Sequence, residues 1–287
     1  MLEQTFSGFW YINEAFAMRM HDMILPRLRA GKDPIPQSYL RQQQQPKPSS
    51  MDQSDYADAD WDLLDIKDYL RLGGGNVAVI SISGAMSRNG LCGDGNEYIA
   101  RILSRLDTLK QRQAVILKFN TPGGTVDSTE MLADVVKNFS KPIWAWTPFC
   151  ASAGYFVASQ CNQIWMEPSI TSEVGSIGVL MVYTDYSKYL EKEGMAVTIF
   201  RADGSEDKAR INGIEPLNDE LVAEIQTSLN DCRKVFLGYV KRGRVGKLQS
   251  DEVFSGRMYG TKEAIKLGLA DKIGSLSEAI KQIKKAA

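Results

Sequence analysis

Histidine is almost missing from this chain of 287 residues: the one present is His21. That excludes a histidine-rich metal centre and leaves any nucleophile in the body of the chain without a nearby imidazole base. Cysteine is sparse as well. The four, at positions 92, 150, 161 and 232, show neither CxxC pairing nor metal-ligand spacing. They read as free thiols of a reducing compartment, most of them among apolar neighbours, so no disulfide framework and no metal is expected. A charge excess is missing too: Lys+Arg 34 against Asp+Glu 35 leaves a net charge of -1. Nothing there attracts nucleic acid or an anionic membrane, and the basic run at 241–244 reads as a solvated helix end. No stretch of roughly 18 apolar residues exists to span a bilayer. The start of the chain also lacks a signal peptide's basic-then-apolar order. With 44% hydrophobic and 24% charged residues, the composition is that of a soluble globular protein of one or two domains.

Three regions are distinguishable. Residues 5–25 carry Phe6, Phe9, Trp10, Phe16, Met20, Met23 and Ile24 at spacings of three and four, which predicts an amphipathic helix ending near Pro26. Residues 31–60 are rich in Gln, Pro, Ser and Asp with few aliphatics, which predicts a linker or extended arm. The domain assignment is therefore 1–30 for the helix, 31–60 for the arm and 61–287 for the folded unit, beginning near Trp61. In that unit, "VAVISIS" (77–83), "AVILKFN" (114–120) and "PIWAW" (142–146) are β-branched or apolar runs that read as buried strands. "STEMLADVVKNF" (128–139) reads as an intervening helix, and strand–helix–strand at this length implies parallel pairing. A long helix follows, with Leu221, Ile225, Leu229, Cys232, Phe236 and Val240 on one face. The class is α/β.

Two junctions could carry chemistry. "NTPGGTVDS" (120–128) places a Pro-Gly-Gly turn between a strand and a helix with Asp127 or Ser128 as its cap. Such a turn serves as a plain connection, as a phosphate cradle or as an oxyanion site. It is no Walker loop, since no GK[ST] follows, and it does not match GxGxxG. The next strand runs into "TPFCASAGYFVAS" (147–159), where Ser152 sits at the mouth of a helix two residues after Cys150. A serine there beside converging backbone N–H groups is the minimum of an acyl-transfer site. Cys150 reads as buried packing. A base is lacking, because His21 precedes the arm and reads as a surface or interhelix residue. The remaining route is a serine activated by a neutral lysine. Lys208, in "FRADGSEDKAR" (200–210), stands after a Gly-Ser turn and by itself looks like a solvated loop lysine.

"TPGG", "ASAGY", "VGSIGV", "ADGSEDKA" and "FSGRMYGTKEAIKLGLADKIG" occur in the order and approximate spacing of the S49 serine peptidases, a family that includes signal peptide peptidase A and phage prohead proteases. The resemblance covers about residues 75–285. It implies a ClpP/crotonase-like fold and a Ser–Lys dyad, with Ser152 as nucleophile and Lys208 as general base. It further implies that Ser176 orients the lysine and that Gly123 or Gly124, with Ala153, donates to the oxyanion. Two features depart from the family pattern. "ASAGY" replaces the usual "ASGGY", which a helix-start conformation tolerates, and an amphipathic helix with a Gln/Pro-rich arm stands in place of a membrane anchor.

The second departure points to the phage branch: a prohead protease acting on capsid or scaffold protein in the host cytoplasm or the prohead. A peptide-degrading relative of signal peptide peptidase A and a non-catalytic assembly scaffold are the alternatives. No cofactor is expected, and a homo-oligomer is. Relatives form rings, some with the dyad built across subunits, although serine and lysine on one chain could complete a site within one copy. Val157, Ile177 and Val179 suggest an apolar pocket for substrate.

Overall fold

The structure is a computed structural model that describes residues 10–12, 27, 60–90, 93–109 and 114–286. The sequence-predicted arm at 31–60, all but Asp60, together with His21 and Cys92, lies outside the described residues. The folded body begins with α1 (Trp61–Leu72), whose N-cap Asp60 accepts from the Leu63 N–H. A seven-stranded sheet forms its centre. The strands β2 (Val77–Ser83), β3 (Ala114–Thr121), β5 (Ile143–Ala151), β6 (Gln163–Met166) and β9 (Lys272–Ile273) lie side by side in that order. All of these pairings are parallel.

The runs predicted as strands are buried because helices cover both faces of this sheet. Along β2 the side chains alternate: Ala78, Ile80 and Ile82 enter the main core, and Val77 and Val79 face a second cluster with Trp144, Trp146 and Trp165. Ala279 and Ile283 of α8 (Leu276–Ile283) close that second cluster. On the main-core face lie α2 (Asn96–Thr108), α3 (Thr129–Asn138), the short α4 (Ala153–Ala158) and the C-terminal half of α6 (Asp219–Gly243). Phe156 of α4 packs at a tilt against Phe236 at 4.9 Å and Tyr239 at 4.5 Å of α6, centroid to centroid.

β5 extends beyond the predicted strand, through Pro148 to Ala151, and changes neighbours as it goes. Its first half pairs with β6, and Phe149–Ala151 pair instead with β7 (Glu173–Gly175). β7 then pairs antiparallel with β8 (Met258–Gly260), which leads into α7 (Thr261–Lys266). This spur buttresses the end of β5, where Ser152 follows.

Three sequence expectations need correction. Trp10–Ile12, inside the predicted helix over 5–25, are a strand, β1, paired antiparallel with β4 (Gly123–Thr125). Main-chain pairing to an available edge overrides a local apolar periodicity, and Trp, Tyr and Ile are good strand formers; the rest of that predicted helix lies outside the described residues. Ser128 precedes α3 but does not cap it: its backbone is left-handed at φ 66, and its hydroxyl is bonded to Asp127 O and Asn96 Nδ2. Arg244, in the supposed solvated helix end, is fully buried, donating to Gly268 O and forming a 2.7 Å ion pair with Asp271.

Candidate active site

β5 delivers Ser152 and α4 starts at the next residue. Ser152 is fully buried, with φ 54 and ψ -115, a region where a side chain costs about 1–3 kcal/mol. Two main-chain bonds hold it there. Its N–H donates to Gly175 O at 2.8 Å, and its carbonyl accepts from Phe156 N at 2.8 Å. Its hydroxyl has no hydrogen-bond partner among the described residues. A buried hydroxyl in that state costs about 1–3 kcal/mol. Strain and an unmet hydroxyl on one serine concentrate the cost where chemistry could use it.

The tight turn depends on Gly154. A Cβ there would stand 2.4 Å from Thr121 Cγ2 and 3.2 Å from Cys150 Sγ. Ala153, where the resemblance expects glycine, is fully buried and absent from the positive-φ positions, so its methyl is accommodated. Its N–H opens α4, where a helix leaves N–H groups without intrahelical acceptors.

The Pro-Gly-Gly turn lies beside this junction because β3 is the parallel neighbour of β5, with Thr121 opposite Cys150. Thr121 ties the turn down: its hydroxyl donates to Gly84 O at 2.6 Å and accepts from Gly123 N at 3.1 Å. Sequence reasoning missed this threonine, which looks like an ordinary strand residue. Gly124 is required for close approach, since a Cβ would fall 1.8 Å from Met86 O. Ser176 sits beside Ser152. β7 pairs Gly175 with Ala151, so the two serines leave neighbouring strand ends together, each with φ 54. The Ser176 N–H donates to Arg257 O at 2.8 Å.

Cys150 is core packing. It is fully buried, and desolvation pushes its thiol well above the ordinary range. Val157 and Ile177, expected to line an apolar pocket, are instead wholly inside the main core, with Val179 packed against it. Small apolar residues at the site's edge were needed by the fold.

Lys208 is exposed, and it makes no hydrogen bond to Ser152 Oγ. It belongs to a long segment, 178–217, that holds one short helix, α5 (Ser187–Lys192), and leaves Val182, Met195, Val197 and Phe200 exposed, the last at 91%. The loop around Lys208 is nonetheless built. Arg201 donates from Nε to Lys208 O at 2.6 Å and from Nη2 to Ala209 O at 3.1 Å. Its guanidinium also grips Glu215 through both oxygens, at 3.0 and 2.6 Å. Asn212 Nδ2 completes the clamp, donating to Ala209 O at 2.8 Å and Glu215 Oε2 at 2.7 Å. The Arg201 bond holds the Glu215 carboxyl below its usual value. Only the Arg at 201 and Glu at 215 were visible in the sequence, and nothing in their spacing marked them as partners.

Among the described residues no cluster of His, Cys, Asp and Glu could hold a metal ion, and no helix is long and apolar enough to cross a membrane.

Known proteins are similar to this chain in sequence. The chain is 29% identical over 193 residues to Protease 4 of Haemophilus influenzae, covering 65% of this chain and 30% of the relative. It is 30% identical over 215 residues to Capsid assembly protease C of Escherichia phage lambda, covering 71% of this chain and 48% of the relative. With the Putative signal peptide peptidase SppA of Enterococcus faecium it shares 28% identity over 188 residues, 64% of this chain and 54% of the relative. The chain thus spans between a third and about half of these relatives' length. The model of Peptidase family S49 matches residues 136–287, more than half of the chain and the part that holds Ser152, Ser176 and Lys208. The chain belongs to peptidase family S49.

Proposed function

We propose that this protein is a serine endopeptidase of ClpP/crotonase-like fold in which Ser152 is the nucleophile and Lys208 of a second copy is the base. The observation that carries the reading is the Ser152 hydroxyl, buried and strained with no partner among the described residues. Such a group gains about 1–3 kcal/mol when something supplies its hydrogen bond in the working state. Lys208 has complementary needs: a charged, clamped loop on an arm whose apolar residues are uncovered. Exposed Val182, Met195, Val197 and Phe200 give a second copy an apolar surface to bury. Bringing Lys208 to Ser152 by association desolvates the amine, which favours the neutral form a base requires. Ser176, beside Ser152, orients it.

The chemistry follows from that placement. Ser152 Oγ attacks the scissile carbonyl carbon, and its proton passes to the Lys208 amine. Charge on the carbonyl oxygen is met by the Ala153 N–H and the N–H of the glycine turn, Gly123 or Gly124. Collapse breaks the C–N bond, and the lysine returns the proton to the departing amine. Water then cleaves the ester by the same proton path. Capsid or scaffold protein is the substrate we infer, from the similarity to Capsid assembly protease C over 71% of this chain. Similarity to Protease 4 favours a second reading, general peptide degradation. Labelling with a fluorophosphonate tests the chemistry: one adduct on Ser152 is expected, absent in Ser152→Ala and retained in Cys150→Ala. An adduct that survives Ser152→Ala contradicts the assignment. Cleavage of a capsid precursor in preference to casein favours the first substrate class.

A further inference from the structure

β4 is three residues long, yet both of its edges are paired. On one side Met86 N donates to Gly123 O at 2.8 Å, and Thr125 N donates to Met86 O at 3.0 Å. Main-chain groups alternate along a strand, so Gly124 turns its N–H and carbonyl to the other side. There β1 lies antiparallel, with Tyr11 opposite Gly124, Trp10 opposite Thr125 and Ile12 opposite Gly123. Tyr11 and Gly124 are therefore the pair that exchanges both hydrogen bonds. β1 and β4 form a separate two-stranded sheet, so this edge is outside the main sheet and its occupant comes from far away in sequence.

The edge of β4 directly continues the turn that stands beside Ser152. An extended peptide added to that edge would run past the nucleophile with its main chain in register, the usual manner in which a sheet edge takes a peptide. We propose that β1 is the protein's own occupant of this edge: Trp10–Ile12 hold the place of an extended substrate strand and compete with it. The inference rests on the peptidase reading for the identity of the competitor, and on the pairing alone for the docking. It also divides the labour of the turn. Gly124 pairs with the bound strand, so Gly123, whose N–H is given to the Thr121 hydroxyl in this structure, must leave that bond to join Ala153 at the oxyanion.

The docking is measurable without catalysis. The full chain carrying Ser152→Ala is the background, and a fluorescent peptide copying residues 5–16 is the probe. Tyr11→Pro removes the N–H that faces Gly124; Ile12→Pro, whose N–H faces away, is the matched control. One net main-chain hydrogen bond, about 0.5–1.5 kcal/mol, corresponds to roughly a two- to tenfold change in an equilibrium. Ser152→Ala with Tyr11→Pro should bind the peptide about two- to tenfold more tightly than Ser152→Ala alone or with Ile12→Pro. Equal binding in all three overturns the proposal. A measurement on the unaltered chain needs no variant to fold: the Gly124 amide should be protected from hydrogen exchange, and an unprotected one overturns the proposal as well. Hydrolysis separates the two readings. If binding shifts as expected but no form cleaves peptide or takes a fluorophosphonate, docking stands and the peptidase reading fails. If the parent chain cleaves peptide and Tyr11→Pro is no faster at low substrate, competition is wrong and the peptidase reading stands.

Discussion

The surroundings of Ser152 and those of Lys208 are built on opposite principles. Around Ser152 everything is closed: α4 is buried along its whole length, Gly154 touches Thr121, and strand ends fix two serines side by side. Around Lys208 the main chain is clamped by Arg201 while the side chain and the nearby apolar residues face outward. The long helix α6 repeats the contrast within one element. Phe236 and Val240 are buried in its C-terminal half, whereas Val222 in its N-terminal half is 49% exposed. Half of the proposed dyad is completed by the fold of one copy. The other half is preformed locally and, on our reading, finished by association.

That contrast breaks most sharply at Lys208. Lys208→Ala and Lys208→Arg should each lower kcat at least about 10³-fold while leaving the thermal midpoint of the single chain unchanged, because within one copy the side chain is exposed and supports no packing, and guanidinium keeps its proton. A Lys208→Arg variant with near-normal turnover contradicts the role. Arg201→Ala should cost roughly 10²-fold in kcat, since displacing a catalytic group by about 1 Å is sufficient for that. KM should change little, and Arg201→Lys should not rescue, because one ammonium cannot span Lys208 O, Ala209 O and Glu215 together. Unchanged kcat in Arg201→Ala would show the clamp to be irrelevant to the site.

On the closed side, Gly154→Ala should destabilise the fold by about 1–3 kcal/mol, as overpacking does. Denaturant unfolding measures it, and a stability equal to the parent's shows that Thr121 yields. The smallest effect is a titration. Glu215 has its carboxyl depressed, first by the Arg201 bond and then by Asn212. A depressed acid stabilises the loop above the unfolded value near 4.3 and loses that contribution as pH falls through the folded value. NMR titration should place Glu215 below 4.3, with the Lys208 loop unperturbed from pH 9 to 5. A Glu215 value above 4.3 argues that the clamp is open in solution.

What was legible in the chain follows the same division. Fully buried strands announce themselves, and 77–83 was read with the bounds that β2 has. β3 and α3 were read within a residue or so, because apolar runs and a 3.6-residue stripe survive in sequence. β7, β8 and β9 are two or three residues each, too short for any periodicity. β1 was misread because Phe6, Phe9, Trp10 and Phe16 imitate a helical stripe. Pairing partners more than a hundred residues apart, such as Tyr11 with Gly124, leave no local mark. Ser152 and the glycine turn were read from the residues and Ser176 through the family resemblance, and the fold brings them together. Lys208 is exposed, as its reading as a solvated loop lysine had it; spacing along the chain carries no information on which copy its side chain would serve.

Mixing tests the central claim most directly. Ser152→Ala retains Lys208, and Lys208→Ala retains Ser152. If the dyad joins two copies, unfolding and refolding the two inactive variants together should restore a sizeable fraction of peptide hydrolysis, with fluorophosphonate adducts only on the Lys208→Ala chains. If the mixture stays as inactive as either variant while parent chains recover activity under the same treatment, the dyad is not shared and the account of Lys208 is wrong.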